Sequence, residues 1–134
     1  MTQLAAAADD FIYEAAIELS GGRAAGLAFR MDDGREGGVV AYDAADRVMY
    51  WFSPGAWNEA PVKITRRVAH PVAPRFRLKV VARREHIEGY LDDQLYLTVA
   101  RYGRMEGRFG LYVDRAQAAF AEVRARRLRV DAPA

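Results

Sequence analysis

The chain has 134 residues, of which 51% are hydrophobic and 11% aromatic, which excludes a disordered segment and fits one globular domain with a single core. Its 20 Lys and Arg against 18 Asp and Glu give a net charge of +2, and the arginines are spread through the sequence, which argues against a nucleic-acid-binding surface. There are no cysteines, so disulfides and thiolate ligands or nucleophiles are excluded. No apolar run is long enough for a membrane span, and residues 1–10 lack the pattern of a signal peptide.

The N-terminal part of the chain has two interpretations. The alanines of residues 2–19 favour a helix that the following glycine pair would end. Against this, aromatic and apolar side chains occupy every second position from Phe11 to Leu19, as in a half-buried strand. We predict a disordered or partly helical lead over residues 1–10 and a strand over residues 11–19.

The middle of the chain contains short alternating segments separated by turn residues. Residues 20–23, Ser-Gly-Gly-Arg, have the composition of a turn. Strands are then predicted over residues 26–30, 38–43, 48–52 and 62–68. His70 and two prolines, Pro71 and Pro74, follow in an extended connection.

Residues 76–97 form the part around which the rest is organised. Three alternating segments are separated by Arg83-Arg84-Glu85 and by Asp92-Asp93, which predicts a three-stranded meander with two tight turns. A meander cannot bury its apolar face alone and needs a second sheet. A further strand is predicted over residues 108–113, and residues 116–128, whose alanines also suit a helix, are interpreted as a closing strand. The predicted fold class is therefore all-β, an antiparallel two-sheet β-sandwich (jelly roll) over residues 11–130.

The segments DFIYEAAIEL, AGLAFR, GGVVAYDA, VMYWF, FRLKVVARREHIEGYLDDQLYLTV and GRFGLYV occur in this order. Together they resemble the concanavalin A-like, laminin G-like jelly roll. They are most similar to the C-terminal sandwich of glycoside hydrolase family 32 fructan hydrolases and to family 66 carbohydrate-binding modules. The resemblance implies a non-catalytic accessory module for fructan-type or related plant and bacterial polysaccharide, with a catalytic domain as a further partner. It also implies a secreted or periplasmic bacterial protein, although the chain itself leaves its localisation open.

The alternation divides the side chains between a core and two outer faces. The predicted core consists of Phe11, Tyr13, Ile17, Leu27, Phe29, Val40, Tyr42, Tyr50, Leu78, Leu91, Phe109 and Leu111. The candidate carbohydrate-binding residues on the outer faces are Glu14, Arg30, Asp43, Trp51, Tyr90 and Tyr112. Charged groups bind vicinal hydroxyls and aromatic rings pack on the C–H faces of sugars.

We expect Glu14 and Arg30 to lie on neighbouring strands, with Trp51 or Tyr90 as an aromatic platform. Trp57 is a second candidate platform. The structural alternative is a cross-strand ion pair beside ordinary exposed aromatics.

No catalytic or metal site is predicted. Glu14 and Glu18 lie four strand residues apart, about 13 Å, beyond the spacing of glycosidase carboxylates. His70 and His86 are interpreted as surface imidazoles. Asp32-Asp33-Gly34 could hold a structural calcium ion, but the same string is typical of a turn.

Two other functions stay open. A structural module could pack on a catalytic domain or self-associate through exposed apolar residues such as Met49 and Trp51. A sandwich-type hydrolase would need an acid pair that the sequence does not contain. An incomplete first strand would leave an open sheet edge and so favour a homodimer.

Overall fold

The computed structural model describes residues 10–31, 37–53, 62–100 and 107–128, and all regular structure in these segments is β-strand. The strands are β1 Phe11–Met31, β2 Gly38–Asp43, β3 Val48–Ser53, β4 Val62–Arg67, β5 Arg75–Arg83, β6 His86–Leu91, β7 Gln94–Ala100 and β8 Arg108–Arg127. Within these ranges no helix long and apolar enough to cross a membrane is found. The all-β prediction is confirmed.

All strand pairs are antiparallel, and β1 and β8 each contribute to two sheets. Residues 11–18 of β1 pair with β5, which continues to β6 and β7. Residues 24–29 of β1 pair with β2, which continues to β3 and β4. The strand β8 follows the other side of β1 along most of its length. We name the half that contains β5, β6 and β7 sheet I, and the half that contains β2, β3 and β4 sheet II.

A bend in β1, where a turn was predicted, connects the two sheets. Gly22 has a φ of 98°, and Arg115 beside it in β8 has a φ of 46°. A Cβ on Gly22 would lie 2.1 Å from the carbonyl oxygen of Arg115, so the close approach of the two backbones requires glycine. The prediction of two strands separated by residues 20–23 is therefore wrong, because a glycine pair serves a β-bulge as well as a turn.

The core lies between the two sheets and matches the predicted set, except that Leu111 is only partly buried and that one strand is reversed. The aromatic rings of Phe11, Tyr13 and Phe109 pack together, and the Tyr13 hydroxyl donates to the carbonyl of Gly110 at 2.7 Å. The predicted sides of β3 are reversed: Met49 and Trp51 are in the main core, and Tyr50 faces away from it. A slip of one residue moves every side chain of a strand to the other face.

The extended conformation predicted for residues 116–128 is confirmed through Arg127, but these residues continue the strand predicted over 108–113, so that both form the single strand β8. The predicted turn at Asp92-Asp93 is also confirmed, with φ values of 50° and 65° at the two aspartates. Residues 1–9, the Asp32-Asp33-Gly34 string and Trp57 lie outside the described residues, so the lead and the calcium hypothesis remain predictions.

Two buried tyrosines make the stability of the fold pH-dependent. Burial raises the pKa of the Tyr13 hydroxyl, and burial together with the hydrogen bond to Tyr112 raises the pKa of Tyr50. Because unfolded tyrosine ionises near pH 10, both hydroxyls stabilise the fold fully below that pH, and this contribution is lost as the pH rises above it.

We therefore expect unfolding midpoints in denaturant to fall steeply above about pH 10. Tyr13→Phe and Tyr50→Phe should each make that fall shallower. An unfolding midpoint that changes equally with pH in all three proteins would contradict this assignment.

Candidate functional site

A row of polar side chains crosses the outer face of sheet I. Glu14 on β1 lies opposite Arg124 on β8 and opposite Lys79 on β5, and Lys79 lies opposite Tyr90 on β6. Their neighbours in sequence, such as Tyr13, point into the core, so these four side chains share the opposite face. Three strand spacings of about 4.8 Å place the ends of the row about 14 Å apart. We name this row, together with Arg77, the sheet I polar face.

The Glu14 carboxylate lies between two guanidinium groups. Its Oε1 is 3.5 Å from Nη2 of Arg77 and 3.6 Å from Nη2 of Arg124, and a quarter of the Glu14 side chain is exposed. Arg77 also contacts Glu122, and this hydrogen bond lowers the pKa of the Glu122 carboxyl. A carboxylate beside guanidinium donors can accept from one sugar hydroxyl while the guanidinium donates to its neighbour.

A depression of about 600 Å³ adjoins this carboxylate. It is lined by Ile12, Glu14, Val123, Arg124, Ala125 and Arg126. The register between β1 and β8 shifts next to Glu14, and such irregularities redirect side chains. The volume is in the range of small-ligand sites, and charged groups line it beside apolar ones.

Tyr90 provides the aromatic end of the row. The Lys79 ammonium lies 4.7 Å from the ring centroid, and the Tyr90 hydroxyl donates to Oε1 of Glu88 at 3.2 Å. Burial, followed by the nearby Glu88 carboxylate, raises the pKa of Tyr90. The phenol therefore stays neutral at physiological pH and can donate or accept a hydrogen bond.

Asp43 and Tyr112 lie on the outer face of sheet II instead. The Asp43 carboxylate is occupied within the chain, since it accepts from Nε of Arg23 at 3.0 Å and from the backbone N–H groups of Ala45 and Asp46. The Tyr112 ring packs against Phe52 and against Tyr50, whose hydroxyl is 3.3 Å from that of Tyr112. These contacts shape a turn and an aromatic cluster and leave less polar surface for a sugar.

Arg30 and Trp51 do not lie on an exposed face, contrary to the prediction. Trp51 is 1% exposed in the main core, and Arg30 is 4% exposed with its guanidinium 5.6 Å from the Phe11 ring. Glu14 and Arg30 are on one strand, β1, rather than on neighbouring strands. The expected Glu14–Arg30 pair is therefore wrong, because the segment between them does not turn.

His70 is more buried than the sequence interpretation assumed. Its side chain is 16% exposed, with Nδ1 2.5 Å from the Tyr96 hydroxyl and Nε2 3.0 Å from Asp92 Oδ2. This network fixes the connection before β5 to the turn after β6. His86 is 46% exposed and lies 3.7 Å from Glu88. Among the described residues, no group of three or more His, Asp or Glu side chains is placed to hold a metal ion.

The sequence interpretation identified Glu14 and Tyr90 but missed the cations between and beside them. Arg77 and Lys79 occupy the polar positions of a strand that was predicted from the sequence, so its alternation already indicates that both side chains face outward. Their proximity to Glu14 depends on strand register, which a single sequence does not specify.

Comparison with known proteins is consistent with this architecture. Carbohydrate-binding module CBM66 from Bacillus subtilis is 30% identical to this chain and has a TM-score of 0.79. The match covers 90% of this chain and 77% of the module. Sheep galectin-11 is 11% identical and has a TM-score of 0.61, and the match covers 92% of this chain and 94% of the galectin. A fructofuranosidase from Schwanniomyces occidentalis is 11% identical and has a TM-score of 0.58. That match covers 92% of this chain and 29% of the enzyme. No family model and no curated protein matches the sequence.

The galectin and the fructofuranosidase are less than 25% identical to this chain, so these two similarities show the fold alone. Together with the strand order they define the class: the chain is a concanavalin A-like β-sandwich. Its identity to the Bacillus subtilis module over most of both chains shows that it belongs to the CBM66 carbohydrate-binding module family. The predicted resemblance is confirmed.

Proposed function

We propose that this chain is a non-catalytic module that binds fructan-type polysaccharide on the sheet I polar face. The observation that carries the proposal is the Glu14 carboxylate held between Arg77 and Arg124 at the edge of a 600 Å³ depression. Membership of the CBM66 family supports a carbohydrate ligand, because the named relative is a carbohydrate-binding module; fructan is the class that the sequence resemblance implies.

The arrangement suits binding without chemical change. The Glu14 carboxylate lies beside two guanidinium groups, so carboxylate acceptors and guanidinium donors stand next to each other where two neighbouring hydroxyls of a sugar can engage them. Lys79 and Tyr90 extend the row of donors and acceptors across β5 and β6. Several hydroxyl contacts along one row can therefore position an extended chain.

The alternative interface function loses its main argument in the structure. Met49 and Trp51, the apolar residues proposed to contact a partner domain, are 0% and 1% exposed. They pack inside the sandwich and are not available to a partner. Because Trp51 and Arg30 are both buried, Trp51→Ala and Arg30→Ala would lower the stability of the fold, and a loss of binding in either variant would not locate the carbohydrate site.

We predict that Glu14→Gln lowers the affinity for fructan about tenfold or more, because hydrogen bonds to a charged group contribute about 1.5 to 3 kcal/mol. Affinity gels and calorimetry with levan, inulin, a β-glucan and a xylan measure this effect. Glu18→Gln is the matched control, since Glu18 is exposed on the same face of β1 and outside the depression.

The control should bind as tightly as the unmodified chain, and no reducing sugar should be released in either case. Absence of binding to every polysaccharide would contradict the function. Equal effects of the two substitutions would contradict the site.

A further inference from the structure

The guanidinium group of Arg77 contacts two carboxylates through different nitrogens. Its Nη1 donates to Oε2 of Glu122 at 2.5 Å, whereas its Nη2 lies 3.5 Å from Oε1 of Glu14. The contact with Glu14 is at the long limit of a hydrogen bond, so the shorter contact with Glu122 fixes the group. The same hydrogen bond raises the pKa of Arg77 and lowers the pKa of Glu122, as expected for a charge-assisted pair.

An irregularity in β8 brings the Glu122 carboxylate to this position. Between Glu14 and Ala16 the register of β1 with β8 shifts by one residue. Two residues of β8, Glu122 and Val123, therefore lie opposite a single residue of β1, as in a β-bulge. Val123 packs against the core, whereas Glu122 has a left-handed φ of 52° and contacts Arg77 on the outer face. The bulge thus directs a carboxylate onto the sheet I polar face.

Ala16 lies beneath the contact between Arg77 and Glu122. On β1 it is opposite Arg77 of β5 on one side and opposite Ala121 of β8 on the other. The strands β5 and β8 are two strand spacings apart here, about 10 Å, so the Arg77 side chain has to cross β1 to reach Glu122. Although Ala16 shares the outer face with Glu14, it is only 2% exposed, as expected for a methyl group that another side chain covers.

The backbone of Arg77 is fixed separately. Its N–H donates to Oδ1 of Asp92 at 3.0 Å, and its carbonyl accepts from the N–H of Asp92 at 2.9 Å. The freedom that remains to this residue is therefore in its long side chain, and Glu122 restricts that freedom at the far end. Ordering a flexible side chain opposes binding, so a guanidinium that is ordered beforehand binds a ligand more tightly.

We infer that Glu122 is a positioning residue of the proposed carbohydrate site, which holds the Arg77 guanidinium across Ala16 and beside Glu14 before a sugar binds. The inference rests on the proposed function, because Glu122 acts on the ligand only through Arg77. A guanidinium has more N–H donors than the contacts with these two carboxylates use, so Arg77 can still donate to a sugar hydroxyl.

The test is a double-mutant cycle, measured by calorimetry with a fructo-oligosaccharide. Glu122→Gly removes the carboxylate and suits the backbone, since glycine is favoured at this positive φ. We expect binding about three- to tenfold weaker, because the loose Arg77 side chain has to be ordered on binding, and an unchanged unfolding midpoint. Arg77→Met should also weaken binding, and adding Glu122→Gly to it should have no further effect.

The positioning itself is measured in the free chain by NMR relaxation of the Arg77 Nε–H group. This group should be ordered in the unmodified chain and mobile in Glu122→Gly. Glu18→Gln is the matched control, since Glu18 is exposed on the same face of β1, and it should change neither the order of Arg77 nor the affinity.

Equal affinities of Glu122→Gly and the unmodified chain would overturn the inference. So would additive effects in the cycle, or an Arg77 side chain that is equally mobile with and without the Glu122 carboxylate. If the unmodified chain bound no fructan, the proposed function would fail, and the relaxation of Arg77 would still decide whether Glu122 holds it. If Glu122→Gly does not fold, Glu122→Asn takes its place, because asparagine also tolerates the left-handed region.

Discussion

Trp51→Ala is expected to lower the free energy of unfolding by about 3 to 5 kcal/mol, the range for removing a large buried aromatic side chain. Trp51 is among the largest fully buried side chains, and it lies opposite Val40 in the strand register. Its indole Nε1 has no hydrogen-bond partner within the described segments of the chain. The cost therefore comes from lost apolar contacts and the cavity left behind, measured by denaturant unfolding.

Trp51→Phe is the control for this prediction. It keeps an aromatic ring and removes no hydrogen bond, so we expect a loss of only about 1 to 2 kcal/mol. An effect of Trp51→Ala below about 1 kcal/mol would be typical of a surface residue and would contradict the placement of this side chain.

Gly22→Ala is expected to destabilise the domain by about 3 kcal/mol or more, because strain at positive φ adds to overpacking against backbone. The added methyl would lie 2.1 Å from the Arg115 carbonyl oxygen and 2.3 Å from the Ala116 Cα. Both are main-chain atoms that cannot rotate away. The bend that lets β1 serve both sheets would have to open.

Gly21→Ala is the matched control at the adjacent position. A Cβ there meets no atom within 4 Å, and Gly21 is not among the glycines with positive φ. We expect a change within about 0.5 kcal/mol, with a gain possible from the reduced freedom of the unfolded chain. Similar unfolding midpoints for the two variants would contradict the proposed role of the bend.

Most strands were predictable because their apolar side chains alternate with polar ones. The segment around β5 and β6 is the clearest case: Leu78 and Val80 are buried, and Lys79 between them is not. The same rule fails in β3, where Val-Met-Tyr-Trp-Phe has no polar residue to mark the outer face. That absence explains the reversed assignment of Tyr50 and Trp51.

The candidate site was only partly predictable because its geometry depends on long-range strand register. Glu14 and Tyr90 were proposed from residue type and sidedness, but Arg124 was not among the candidate residues. The structure places it 3.6 Å from Glu14, which is 110 residues away in sequence. Only the pairing of β1 with β8 brings the two together.

The most direct test of the central claim is an NMR titration of the backbone amides with a fructo-oligosaccharide. Chemical-shift changes should saturate and concentrate around Glu14, Lys79, Tyr90 and Arg124, with little change around Tyr50 and Tyr112 on sheet II. Changes centred on sheet II or on the loops, or no saturable change with any fructan, would contradict the assignment of the sheet I polar face as the carbohydrate site.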